Sequence, residues 1–417
     1  MNAPHSAHAI APAASGNSVS HTVNHLFRED FGRHTEAVEH AAARLDATAV
    51  QRDKDGGTAW AERQVLRDSG LLTLAVPATF GGAGLPWPDI YAIIRRFARV
   101  DSSLAHLFGF QHLQVASVCL FANPVQQADL LSRTVSESWF WGNATNGLDT
   151  RITLTPEGDH FVLDGVKSFC SGATGSDRLN VTAPRGGDPA DRVFLSIPTD
   201  RAGITVHDDW DNLGQRQTDS GSVTFSKVRV AADEILGPPG TRGTPRATLR
   251  TLVSQLILTE IYLGNTQGAL GAAWRYVHEE ARPWFSSGVA RAADDPYGQI
   301  RFGDLWIQYQ GALALAVQAE HALQRAWDKG DALTARDRGE VALLIWQAKI
   351  AAGRAALDIT SRIFELMGAR ATAARYGHDR YWRNVRVHTL HDNLDYKLQD
   401  IGRWVLDDRV PEPSIYT

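Results

Sequence analysis

Apolar positions recur at helical spacing through HLFREDFGRHTEAVEHAAARLDATAVQRDKDGG (25–57), and the run stops at Gly56 and Gly57. The same period continues in AWAERQVLRDSGLLTLAV (59–76) until the VPATFGGAGLP loop (76–86) interrupts it. WPDIYAIIRRFARVDSSLAHLFGFQHLQVASVCLFA (87–122) predicts two more helices, parted near Asp101, Ser102 and Ser103, residue types that cap helix starts. Residues 21–142 therefore read as a helical domain.

After Asn143 the pattern switches to strict alternation. RITLTPEGDHFVLDGVKSFCSG (151–172) predicts a hairpin turning near Gly158. LNVTAP, RVFLSIPT, ITVHDDW and GSVTFSKVRV add four short strands with turn residues between them, so 143–240 reads as an all-β domain. Helical spacing returns after Pro245. Leu249, Leu252, Val253, Leu256, Ile257 and Leu263 mark the buried face of a helix running to Arg282, where Pro283 stops it. IRFGDLWIQYQGALALAVQAEHALQRAWDKG (300–330) predicts a second long helix. A third starts at Thr334, with Asp337 completing a capping box, and runs to Gly368. Long helices joined by short loops predict a C-terminal four-helix bundle over 241–417. The expected fold is α+β multidomain: helices, then a β domain, then a bundle.

Composition removes several classes. A chain of 417 residues, 43% of them hydrophobic, can bury more than one core. With 47 acidic and 42 basic residues and a formal net charge of −5, no basic surplus advertises nucleic acid. The apolar stretch 70–88 is broken by Pro77, Pro86 and three glycines, so no membrane span is expected there. Residues 1–20 lack the basic start and apolar core of a secretory signal and read as a disordered leader. The two cysteines, Cys119 and Cys170, cannot build a disulfide framework and suit a reducing cytoplasm. No strand–GxGxxG–helix unit, phosphate loop, HExxH, GxSxG or CxxC occurs, so an enzyme reading calls for a borrowed cofactor.

One stretch concentrates candidate chemistry. In RNVRVHTLHDN (383–393), His388 and His391 stand three apart, one helical turn, with Asp392 directly after. A metal clip is disfavoured, because bundle metal sites draw on several glutamates and on Glu-x-x-His pairs, and no metal site is expected. An acid/base role suits an imidazole near pH 7, and filler on a helix is the bland alternative.

Five ordered stretches resemble the acyl-CoA dehydrogenase fold: VPATFGGAGL (76–85), GDHFVLDGVKSFCSGA (158–173), GQRQTDSGSVTFSKVRVAADEILG (214–237), YVHEEARPWF (276–285) and MGARATAARYGHDRYWRNVRVHTLHD (367–392). Dehydrogenases of that fold close the last stretch with Tyr–Glu–Gly–Thr, the glutamate being the base. Here His391, Asp392 and Asn393 stand at the Tyr, Glu and Gly places. SLAHLFGF (103–110), WGNATN (141–146), SFCSGATGSD (168–177), DDWDNLGQRQTDSGS (208–222) and DKGDALTARDRGE (328–340) resemble the flavin monooxygenase branch, which includes the dibenzothiophene monooxygenases.

The resemblance implies a two-component monooxygenase. It takes reduced FMN from a separate NAD(P)H:flavin reductase and forms a C4a-hydroperoxyflavin with dioxygen. One oxygen atom then passes to a small apolar, sulfur-containing or aromatic substrate. It also implies a homotetramer. His391 would sit over the ring and manage the peroxide proton. Ser171, otherwise a turn-capping hydroxyl, would face the flavin edge, and Asn143, otherwise a turn residue, would meet its pyrimidine side. Trp141 would flank the ring. Arg282 and Arg370 would take phosphate, Arg282 for a neighbouring subunit, with Gly368 allowing close backbone approach. His106, Phe110 and His388 would line the substrate side, Phe110 where close family members carry tyrosine. Two rival readings remain: an acyl-CoA dehydrogenase using FAD, with Asp392 as base, and a non-catalytic binding protein that keeps the fold.

Overall fold

A computed structural model describes residues 26–27, 29–238 and 241–414 of the chain. The expected leader, 1–20, lies outside the described residues. Among the described residues five α-helices lead into the β region: α1 Thr35–Asp55, α2 Trp60–Asp68, α3 Trp87–Ala98, α4 Ser102–Phe121 and α5 Pro124–Ser136. Asp101 caps α4, its carboxylate accepting from the Leu104 N–H at 2.9 Å and ion-pairing with Arg52 at 2.6 Å. By length and composition alone α4 is apolar enough to cross a membrane, yet all of it is buried inside the protein. Gly109 permits this packing, since a Cβ there would sit 2.5 Å from Ile257 of the bundle.

The β region is two sheets. β1 (Trp141–Ala144), β4 (Arg178–Pro184) and β5 (Arg192–Pro198) form one in the order β1-β4-β5, with β1 parallel to β4 and Asn143 opposite Asn180. β2 (Ile152–Glu157), β3 (His160–Lys167), β6 (Ile204–Val206) and β7 (Val223–Ala231) form the other in the order β2-β3-β7-β6. Alternate side chains from both sheets, among them Leu154, Leu163, Val181, Ile197 and Phe225, close a core separate from the helical one. The expected strands appear, and β1 adds one: Asn143 lies inside a strand rather than at a turn. Four residues at a chain crossover offer too little alternation to read as a strand.

The bundle is built on α6 (Leu249–Glu279), α7 (Pro296–Asp328) and α8 (Ala335–Met367), with shorter α9 (Asp379–His388) and α10 (Leu394–Asp407) packed on α8. The Thr334–Asp337 capping box starts α8, and Gly368, at φ 76°, ends it. α6 ends three residues earlier than expected, leaving Arg282 beyond the helix in irregular chain. Arg95 of α3 reaches into the bundle to the buried carboxylates of Glu260 and Glu320 and to Glu29 at 2.6 Å. This network ties the first domain to α6 and α7.

Replacing Asp101 by alanine removes the cap and one of the two carboxylates that Arg52 ion-pairs with, leaving Glu62. The expected loss is roughly 2–4 kcal/mol, read as a lowered midpoint in thermal or urea unfolding. A variant within about 0.5 kcal/mol of the wild type contradicts the assignment.

Candidate active site

The buried helix α4 carries polar side chains that each need a partner. Gln111 donates to the Leu72 and Trp139 carbonyls at 3.1 and 3.0 Å and accepts from the Trp141 N–H at 2.8 Å. Gln114 accepts from Asn180 Nδ2 at 3.0 Å and donates to Asn143 Oδ1 at 3.2 Å. Thr145 Oγ1 donates to the same Oδ1 at 2.5 Å, and Arg250 donates to Thr145 at 3.0 Å. With two donors on its oxygen, Asn143 turns only its amide N–H groups outward. Its backbone N–H donates to the Ser171 carbonyl at 3.1 Å, which joins the two residues.

The Ser171 hydroxyl lies 2.7 Å from Ser220, which lies 2.8 Å from Thr218, and Thr218 donates to the Gln215 carbonyl at 3.0 Å. A carbonyl only accepts, so Thr218 spends its proton there. Ser220 then donates to Thr218, and Ser171 donates to Ser220. Ser171 is left facing outward as an acceptor.

His106 breaks the pattern of α4. Both of its ring nitrogens are buried without a hydrogen-bond partner among the described residues, as is His388 Nδ1. The His106 ring stacks on Phe110, centroids 4.0 Å apart, and stands 4.9 Å from the His388 ring. Burial lowers the His106 imidazole to about 3, with His391 adding to the effect. Burial also takes His388 well below its ordinary value, with His106, His391 and Lys349 adding to it. Unpartnered buried nitrogens are costly, and their concentration here marks a place made to receive something polar.

His391 lies past the end of α9, not on it as the helical spacing implied. Its N–H donates to the His388 carbonyl at 3.0 Å, closing a turn. The same carbonyl accepts from the Tyr262 hydroxyl at 3.0 Å. His391 is exposed as a residue. Burial first, then the Lys349 and Lys397 charges, lower it to about 4 against the pull of Asp392. The imidazole is therefore neutral at pH 7. Asp392 bonds to Lys349 Nζ at 3.0 Å and Lys397 Nζ at 2.6 Å, both on the same oxygen. Burial raises this carboxyl, and the two ammonium groups outweigh that and hold it below its usual range.

The other expected residues lie elsewhere. Trp141 is buried in the helical core, its indole N–H donating to Thr134 at 3.1 Å, so it is a packing residue instead of a ring neighbour. Arg282 and Gly368 line a separate cavity of about 790 Å³ with Trp274, Trp284, Phe302 and Trp306, and none of the three histidines reaches it. Arg370 is exposed on a short turn after Gly368. Among the described residues no three metal-ligating side chains cluster. Gln114, Thr145, Ser220 and Lys349 were not singled out from the sequence. Glutamines and a lysine inside the otherwise apolar runs of α4 and α8 are the signal that could have found two of them.

Models of the acyl-CoA dehydrogenase N-terminal, middle and C-terminal domains match residues 34–138, 135–228 and 256–396. The chain belongs to the acyl-CoA dehydrogenase family. It is 47% identical to the probable FMNH2-dependent monooxygenase SfnC of Pseudomonas putida, over 90% of this chain and 95% of that one. Its fold matches methanesulfinate monooxygenase MsuC from Pseudomonas fluorescens with a TM-score of 0.89 at 45% identity, covering 92% and 99% of the two chains. It matches the FMN-bound TdsC of Paenibacillus sp. A11-2, a dibenzothiophene monooxygenase, with a TM-score of 0.88 at 42% identity over 93% and 100%.

His112, one turn from Phe108 on α4, shares the strain of the site without belonging to it. Burial lowers it to about 3, and neither nitrogen has a partner among the described residues. A group lowered on folding takes its proton first in the unfolded chain. Its stability contribution is whole above about pH 6.5 and is lost as pH falls toward the folded value. His112→Leu is expected to flatten the acid side of the stability profile by roughly 1.4 kcal/mol per pH unit. Unfolding curves between pH 4 and 7 check this, and an unchanged slope contradicts it.

Proposed function

We propose that this chain is a reduced-FMN-dependent monooxygenase that transfers one oxygen atom of dioxygen to a small apolar substrate, sulfur-containing or aromatic. The observation that carries the reading is the state of Asp392. At the place of the dehydrogenase base stands a carboxylate tied to Lys349 and Lys397, while the adjacent His391 is neutral and reaches the open face of the site. A base bound to two ammonium groups is poorly suited to take a proton from carbon.

The chain's free polar groups fit a reduced flavin ring. Asn143 offers N–H donors suited to a pyrimidine-edge carbonyl, and Ser171 offers an acceptor suited to the N–H that the ring carries only when reduced. When bound, FMN supplies the electrons that activate dioxygen. The protein's work is to place and protect. The neutral His391 presents one ring nitrogen as donor and one as acceptor, enough to hold a proton at the reacting oxygen near pH 7. His106 and His388 add polar nitrogens beside the Phe110 wall, against which an apolar ring or alkyl group packs. The buried face of α4 keeps water out, which protects a reactive oxygen species from hydrolytic loss.

The reading includes a separate flavin reductase, a cytoplasmic setting and a homotetramer. Trp284, Phe285 and Tyr297 stand exposed near Arg282, and Ile300 and Ile307 are exposed on α7, apolar surface suited to a second copy. Such a copy would bring Arg282, with Arg370 as a second cation, to its neighbour's FMN phosphate.

His391→Phe is expected to keep consuming reduced FMN and oxygen but to release hydrogen peroxide, with product cut roughly 100-fold or more. Wild-type coupling of flavin oxidation to product in that variant contradicts the role. Arg282→Ala is expected to weaken FMN binding roughly tenfold or more in a fluorescence titration, with an unchanged mass in solution. An unaltered Kd contradicts the phosphate assignment.

A further inference from the structure

Lys349 is a lysine buried in the middle of α8, and its side chain is 2% exposed. Its ammonium reaches the Asp392 carboxylate at 3.0 Å. Lys397, in the first turns of α10, meets the same Asp392 oxygen at 2.6 Å and stands over the Trp346 ring at 5.3 Å. A single ion pair would be neutral. Two ammonium groups on one carboxylate leave one net positive charge, and both lysines that carry it are nearly buried, where a charge acts strongly on its neighbours.

The same cluster is mechanical. Asp392 joins the turn after α9 to the centre of α8 and the start of α10, and Asn393 caps α10 by accepting from the Asp395 N–H at 3.1 Å. Tyr262 of α6 holds the other end of the turn through the His388 carbonyl. His391 sits between these anchors and has little room to move along the chain.

We propose that Lys349 and Lys397 are positioning residues for His391: by clamping Asp392 they fix the 388–393 turn and impose a positive field on its imidazole. This rests on the monooxygenase reading for its purpose, though not for its measurement. The titratable groups facing His391 are His106 from α4, Tyr262 from α6, Lys349 from α8, His388 from α9, Asp392 in the turn and Lys397 from α10. Of these, only the two lysines carry positive charge at neutral pH; burial lowers Lys349 to about 8, with Asp392 opposing. Without the clamp, His391 would face Asp392 alone and accept a proton more readily. An imidazolium would have no acceptor nitrogen left.

The test is an NMR titration of histidine ring signals in the flavin-free protein, with His391 assigned by loss of its signal in His391→Phe. Lys349→Met and Lys397→Met are expected each to raise the His391 pKa by roughly one unit, while Lys349→Arg leaves it near the wild-type value. A merely structural lysine would change melting temperature without moving that pKa. Should Lys349→Met fail to fold, the Lys397→Met result decides alone, since Lys397 lies in the short helix α10 and not in the centre of a bundle helix. A folded variant with an unmoved His391 pKa overturns the proposal. The flavin-free readout stands whether or not the enzyme oxygenates, so failure of the positioning idea and failure of the monooxygenase reading are told apart.

Discussion

A helix buried on every side must find a partner for each polar group it carries, and α4 is such a helix. Gln111 and Gln114 meet this constraint by bonding to the first β strand and its neighbour, which sets where the β domain sits against the helices. His106, on the same helix, has no partner among the described residues. The helix that fixes the relation between domains therefore also carries two imidazoles that no described residue satisfies, His112 and, in the site, His106. The His106 nitrogens point to a ligand as their partner.

The second determinant is charge. A dehydrogenase of this family needs a free carboxylate as base. This chain keeps an acid at the position and ties it to two lysines, with a neutral imidazole, His391, one residue back. Burial lowers both imidazoles, His106 and His391, and positive charge adds to the effect at His391, so both rings are neutral at pH 7. Acid-base work through a neutral histidine suits holding a proton at oxygen better than tearing one from carbon.

Much of this was legible in the sequence, and the limits have physical causes. The long bundle helices follow from apolar spacing together with the Thr334 box and the stop at Gly368. The family resemblance singled out His106, Asn143, Ser171, His388 and His391, and the chain's membership of the family is shown by the domain models it matches. The four-residue strand β1 was too short for alternation to register. Trp141 was assigned to the cofactor because one residue's spacing cannot tell a ring neighbour from core packing, and its bond to Thr134 forms only when β1 packs back on α5. Lys349 lies 43 residues from Asp392 in sequence and meets it only when α8 and the last turn come together. Partnerships that depend on tertiary closure, such as the Ser171–Ser220–Thr218 relay, leave no local period to read.

The central claim is that one atom of dioxygen reaches the substrate. The direct measurement supplies the protein with enzymatically reduced FMN under isotopically labelled dioxygen, offers an alkyl sulfinate and a thiophene in parallel, and weighs the products. The account predicts a single labelled oxygen in the product of at least one substrate, with no bleaching of oxidised flavin by an acyl-CoA. Unlabelled product throughout, together with acyl-CoA bleaching, would contradict it and return Asp392 to the role of base.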